Sequence, residues 1–195
     1  MSDAMCNLYR LHKSADEIRK LFADIGTQLT FAEGVPNFEP RDIHITDRAP
    51  IVRAAANGME LVERRWSWPL ATGKPLYNLR SEGRNFAANR CLAIADGFYE
   101  YTVPADPKRK RKDRWLFTPA GGGLLGIAGI TRTVADVGEA FTLLTAEPGP
   151  DVAPLHHRQI VLIDPADWKR WLDPSVASAD LLRPSAANFL TLEPA

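Results

Sequence analysis

The sequence predicts an α+β fold in which mostly antiparallel strands form a partly closed barrel or sandwich with peripheral helices. Three observations predict it. Apolar runs recur along the chain, each bounded by Gly, Pro, Asn or Asp, which is how short half-buried strands read. Asn57-Gly58 lies between 51-IVRAAA-56 and 59-MELVERRW-66, a hairpin signal because this pair tolerates the positive φ of a two-residue turn. Only a few short helices are indicated, the clearest starting at 14-SADE-17 and at Asp164-Pro165.

In chain order, Ser14-Ala15-Asp16-Glu17 is a capping box followed at helical spacing by Ile18, Leu21, Phe22 and Ile25, and Gly26 stops the run. A helix over 14–25 follows. Residues 31–40, rich in Pro, Gly and Asn, predict an irregular loop, and 43–46 a short strand. The hairpin 51–66 comes next. Residues 67–83 carry the Pro and Gly content of a surface segment, with a short helix expected through Phe86. 91-CLAIADGFYEYTV-103 reads as two strands separated by Asp96-Gly97, and the basic run 108-KRKRKDR-114 precedes the strand 114–119. Segments 124–133 and 139–146 predict another hairpin, 158–163 a buried strand, and 165–172 a helix with Asp164 as N-cap and Pro165 at N1. Residues 188–192 are expected to complete a sheet.

At 195 residues and 45% hydrophobic content the chain is predicted to form one domain over 1–195, a monomer with a substantial core. No apolar run is long enough to span a membrane and no export signal is present, so a cytoplasmic location is expected. Lys+Arg and Asp+Glu balance at 24 each, so total charge does not point to nucleic acid and such a partner must be met by a local patch. Cys6 and Cys91 are far apart and neither sits in a CxxC pair. That excludes a disulfide framework and argues against structural zinc; no metal or other cofactor is expected.

Four places carry candidate chemistry. Cys6 follows Met5, a second possible start. Translation from Met5 and removal of that methionine would leave an N-terminal cysteine, with an amine of pKa about 7.7–8.0 and a thiol near 8.5. That pair can trap an aldehyde, the amine as a Schiff base and the thiol by closing a thiazolidine ring. The competing reading is a small buried cysteine. The second place is 78-NLRSE-82. The third is Glu100 within 98-FYEY-101: strand alternation predicts that it faces water, whereas its aromatic neighbours predict desolvation and a raised pKa. The fourth is 155-LHHR-158, where a histidine can serve as general acid or base or as a structural hydrogen bonder.

Together these segments resemble the SOS response-associated peptidase family, whose members act on abasic sites in DNA. The resemblance rests on MCNLYR at 5–10, RRW at 64–66, NLRSE at 78–82, RCLAIADGFYEY at 90–101 and FTLLTAEPGPDVAPLHHR at 141–158, in family order. It implies a covalent thiazolidine crosslink between an N-terminal cysteine and an abasic site in single-stranded DNA, with peptidase self-processing and lyase chemistry as companion activities. Carried over by residue, Cys6 is the nucleophile, Asn78 bonds at the reacting centre, Glu100 shuttles protons and His156 helps open the sugar. Arg80 holds a flanking phosphate, and Trp66 stacks on or wedges beside a base. His157 falls where the family varies and receives no role. Residues 2–5 depart from the pattern, since Cys6 acylated by Met5 cannot cyclise; a start at Met5 is the favoured explanation and self-cleavage the other. The alternatives are a noncatalytic single-strand binding module and a general cysteine peptidase.

Overall fold

The computed structural model describes residues 6–56 and 58–195; Met5, and with it the question of the start, lies outside the described residues, as does Asn57 of the expected turn. The chain begins with β1 (Leu8–Leu11), α1 (Ala15–Asp24), β2 (Leu29–Thr30) and β3 (Arg41–His44). Next come β4 (Arg48–Ala55), β5 (Gly58–Trp66), β6 (Trp68–Pro69), β7 (Pro75–Leu76) and β8 (Asn78–Arg80). Then follow β9 (Arg90–Ala95), β10 (Gly97–Thr102), β11 (Asp113–Pro119), β12 (Leu125–Val134) and β13 (Gly138–Ala146). The chain closes with β14 (Gln159–Ile160), β15 (Leu162–Ile163), α2 (Trp168–Leu172) and β16 (Leu190–Pro194).

A five-stranded barrel organises them. β5, β4, β9, β12 and β13 pair antiparallel in that order, and a parallel pairing of β13 with β5 closes the ring. Closure removes the unpaired edges that an open sheet of this length would expose. β9 is buried at every residue, so 90-RCLAIA-95 reads as an apolar run and not as an alternating strand. A second sheet, ordered β16-β11-β10-β1-β3, departs from the barrel at Asp96, the one residue between β9 and β10. Asp96 fixes that corner: its carboxylate accepts from Arg10 Nε and from the His12 amide, both at 2.5 Å, while its own amide donates to Arg10 O at 2.9 Å. The corner thereby locks β1 against β10.

The capping box forms as read: Ser14 Oγ accepts from the Glu17 amide and Glu17 accepts from the Ser14 amide, which seats Ile18 and Phe22 in the core. The hairpin β4–β5 forms where expected, but its register differs: Ala55 stands opposite Gly58 and Ala54 opposite Met59, so Gly58 opens β5 instead of standing in the turn. The β12–β13 hairpin forms as well. Three further expectations differ. No helix leads to Phe86, because the Phe86 amide donates to Ser178 Oγ and its carbonyl is taken by the Arg90 guanidinium, leaving no local helical ladder. The strand at 158–163 is divided at Val161, whose amide donates to Leu144 O and whose carbonyl accepts from Ala128 N. The helix at 165–172 starts with a 3-10 turn over Pro165–Asp167.

α2 seals the barrel through Trp168 and Trp171, both fully buried, with indole N–H groups donating to Ile163 O and Cys91 O at 2.8 Å. A Cβ at Gly126 would lie 2.4 Å from Trp168 Nε1, so β12 approaches α2 this closely only as glycine. Gly126→Ala is expected to destabilise the protein by about 1–3 kcal/mol through overpacking. The urea midpoint measures it, and an unchanged midpoint would mean that α2 yields easily.

Candidate active site

The β1–β10 register pairs Tyr9 with Phe98 and Arg10 with Gly97, and its continuation sets Asn7 opposite Glu100 and Cys6 opposite Tyr101, one position from Glu100. Cys6 is therefore placed by a strand. Its nitrogen donates to Glu100 Oε1 at 3.2 Å, and its carbonyl accepts from Asn78 Nδ2 at 2.9 Å. Asn78 opens β8, which lies parallel to β13 with Asn78 beside Leu143 and Arg80 beside Thr145. Segments from residues 6, 78 and 100 thus meet at one point, joined by direct hydrogen bonds.

Glu100 is 1% exposed, so the water-facing alternative is corrected: β10 is covered on this face, with Phe98 buried as well. Burial pushes the carboxyl up to about 8, against the Cys6 N–H and the Lys112 charge, which both favour the ionised form. An acid poised there can both give and take a proton near neutrality. Cys6 is equally buried, at 1%. Desolvation first and the Glu100 charge second raise its thiol well above the usual range, and Sγ lies 3.5 Å from Leu8 O. A resting thiolate is disfavoured, so nucleophilic attack by sulfur requires proton removal. Asn78 Oδ1 is buried with no hydrogen-bond partner among the described residues, while Nδ2 of the same amide holds the Cys6 carbonyl.

Beside the centre is a hollow of about 260 Å³ lined by Pro75, Leu76, Tyr77, Asn78, Arg80, Thr145 and His157. Arg80 is exposed at it, available to a phosphate. His156 is held by a hydrogen bond from the Arg158 amide to Nδ1 at 3.2 Å, and its ring stacks on His157 at 4.6 Å. His156 is thus brought next to the hollow through His157. Arg158, itself buried, anchors this loop with bonds to Glu82 Oε2 at 2.9 Å and Thr145 O at 3.0 Å.

Trp66 requires correction. It is 0% exposed, with its ring 5.1 Å from Tyr9 and its Nε1 donating to Tyr77 O at 2.9 Å. No face is left for a base, and its work is to pack β5 against β1 and to hold the turn into β8. Tyr77 was missed by sequence reasoning: it stands edge-on to Trp66 at 6.2 Å, lines the hollow, and has its hydroxyl pKa raised by burial and then by Cys6 and Glu100. Its place next to Asn78 in 77-YNLR-80 was the available signal. Gln159 is structural, accepting from Gly149 N at 2.8 Å and donating to Ser185 Oγ at 3.0 Å.

The chain is similar in fold to a protein from Bordetella bronchiseptica, with TM-score 0.75, 23% identity, and coverage of 97% of this chain and 99% of that one. A protein from Bacteroides thetaiotaomicron gives TM-score 0.74 at 16% identity, covering 97% and 91%. A phage-related protein from Bordetella bronchiseptica gives 0.74 at 18%, covering 97% and 94%. At such identities the likeness bears on fold alone. No curated protein matches the chain. The model of the SOS response associated peptidase family matches residues 5–194, nearly the whole length, and the chain belongs to that family.

Proposed function

We propose that this protein captures abasic sites in single-stranded DNA as a covalent adduct on Cys6, once the Cys6 nitrogen is a free amine. The observation that carries the reading is the 3.2 Å contact between that nitrogen and Glu100 Oε1, a carboxyl whose pKa of about 8 suits proton exchange with an amine. In the ring-opened abasic sugar the amine adds to the C1 aldehyde. A C–N bond forms and one water departs, leaving an iminium. Sγ then adds to the same carbon while its proton passes to the nitrogen, closing the thiazolidine. The sequence loses one water and involves no oxidation or reduction.

Asn78 holds the Cys6 carbonyl, which fixes amine and thiol relative to the incoming carbon. Glu100 takes the ammonium proton to free the lone pair and returns a proton to the departing hydroxyl. His156 assists sugar opening, and Arg80 receives a phosphate beside the lesion, for which its forked permanent charge is suited. Glu100 also stands at the nitrogen that would leave if the Met5–Cys6 bond were hydrolysed, the geometry that self-processing requires.

The test is a denaturing gel after incubation of chain beginning at Cys6 with single-stranded DNA carrying one abasic site. A heat-stable shifted band is expected, absent with Cys6→Ala and slower to appear with Asn78→Ala. Reversible binding without a covalent band would overturn the proposal in favour of a binding module. Turnover of unrelated peptides would favour a general peptidase.

A further inference from the structure

The basic run at 108–114 has no part in the chemistry above, yet it belongs to the same hairpin as Glu100. β10 and β11 pair with Glu100 opposite Trp115, Tyr101 opposite Arg114 and Thr102 opposite Asp113, and the chain between 103 and 112 forms the tip. Between 104 and 114 the sequence holds six cations and two carboxylates, in a chain whose total charge is zero. Lys108, Arg109, Lys110, Arg111 and Lys112 are all exposed. Arg109 pairs with Asp113 at 2.7 Å, and Arg114 lies over the Tyr99 ring at 4.8 Å. Among the described residues Lys110, Arg111 and Lys112 have no ion-pair partner.

We propose that this tip is a second phosphate-contact element, which grips the nucleic-acid backbone a few nucleotides from the residue captured at Cys6. The proposal deepens the reading of the site as a single-strand DNA binder and rests on it. Position supports it. Thr102 and Asp113, the last pair of the hairpin, lie two residues beyond Glu100, about 7 Å along a strand. Lys112 immediately precedes Asp113, so one cation of the tip stands next to the last pair of this hairpin, and its charge favours the ionised form of Glu100. Phosphates in one strand of duplex DNA follow at about 3.4 Å along the axis, so the roughly 7 Å from Glu100 to the base of the tip corresponds to a few nucleotides. A surface of mixed charge would not hold a polyanion there. Three adjacent unpaired cations would, in any sequence context, because a backbone contact reads no base.

The experiment measures reversible binding of the chain beginning at Cys6 to an undamaged single-stranded oligonucleotide, by fluorescence anisotropy across a salt series. The triple variant Lys110→Gln, Arg111→Gln and Lys112→Gln alters only exposed side chains. Each lost phosphate contact is expected to reduce the slope of log K against log salt by about 0.7, so the triple variant should be shallower by about 2. Arg19→Gln with Lys20→Gln, exposed on α1, should leave the slope unchanged. An unchanged slope in the triple variant overturns the proposal, and so does wild-type protein that shows no salt-dependent binding. The oligonucleotide carries no aldehyde, so the result is independent of covalent capture. A reduced slope with no adduct on abasic DNA would keep the tip and reject the capture chemistry, while an adduct with an unchanged slope would do the reverse.

Discussion

Protein in which Met5 still acylates Cys6 is expected to give no heat-stable adduct with abasic single-stranded DNA, whereas the same protein beginning at Cys6 gives one. The reason is electronic. An amide nitrogen shares its lone pair with the carbonyl and cannot form an iminium. The thiol alone can add to an aldehyde, but the product is a hemithioacetal that reverts on heating. The difference is therefore all or none on a denaturing gel. If the chain processes itself, loss of residues 1–5 should be first order and independent of protein concentration. Glu100→Gln should slow it, because Glu100 Oε1 lies at the nitrogen that must be protonated as it leaves. Intact mass over time reads both processing and its rate. A covalent adduct from protein that retains Met5 would reject the ring chemistry outright.

Much of this site was legible in the sequence because it is carried by strands whose neighbours in space follow from pairing. Asp96-Gly97 marked the corner between β9 and β10, and Glu100 follows it by four residues, on a strand whose register with β1 delivers Cys6. The capping box and the existence of the β4–β5 hairpin were equally readable, since each is a local signal whose partners lie within a few residues, although the pairing of Ala55 with Gly58 is shifted by two residues from a turn at Asn57-Gly58. What failed was settled at long range. Trp66 ends a strand that carries Glu60, Glu63, Arg64 and Arg65, and its burial depends on Tyr9 and Tyr77 arriving from other elements. Glu100 could not be placed by alternation, because a strand shared between a sheet and a barrel corner is covered on both faces. The region before Phe86 carries no helix because Arg90 takes the carbonyls of Phe86, Trp171, Asp173 and Val176, an arrangement that links residues more than 80 positions apart. β8 was hidden for a different reason: it is three residues long, and its parallel partner β13 lies far along the chain.

Replacing Glu100 by glutamine should slow adduct formation and at the same time stabilise the protein at alkaline pH. Proton transfer by a positioned side chain is worth about 10²–10⁴ in rate, and glutamine keeps the acceptor for the Cys6 N–H while losing the proton. Stability moves the other way. The Glu100 carboxyl, ordinarily near 4.5, is pushed up to about 8, so between those values the folded state holds a proton that the unfolded state has released. Linkage then makes stability fall as pH rises through this window. The contribution is fully present below about 4.5 and gone above about 8. Glutamine has no such proton, so the melting curves of variant and wild type should coincide near pH 4 and separate as the pH increases. At about 1.4 kcal/mol per pKa unit and about 2–4 °C per kcal/mol for a chain of this size, the difference in Tm at pH 8 should be on the order of 10 °C. Calorimetry at a series of pH values measures it. Parallel curves would mean that Glu100 is solvated and ionised throughout, and the carboxyl could not then exchange protons with the Cys6 amine near neutral pH. A variant both slower and more stable identifies a carboxylate that the fold keeps from water for the sake of its proton.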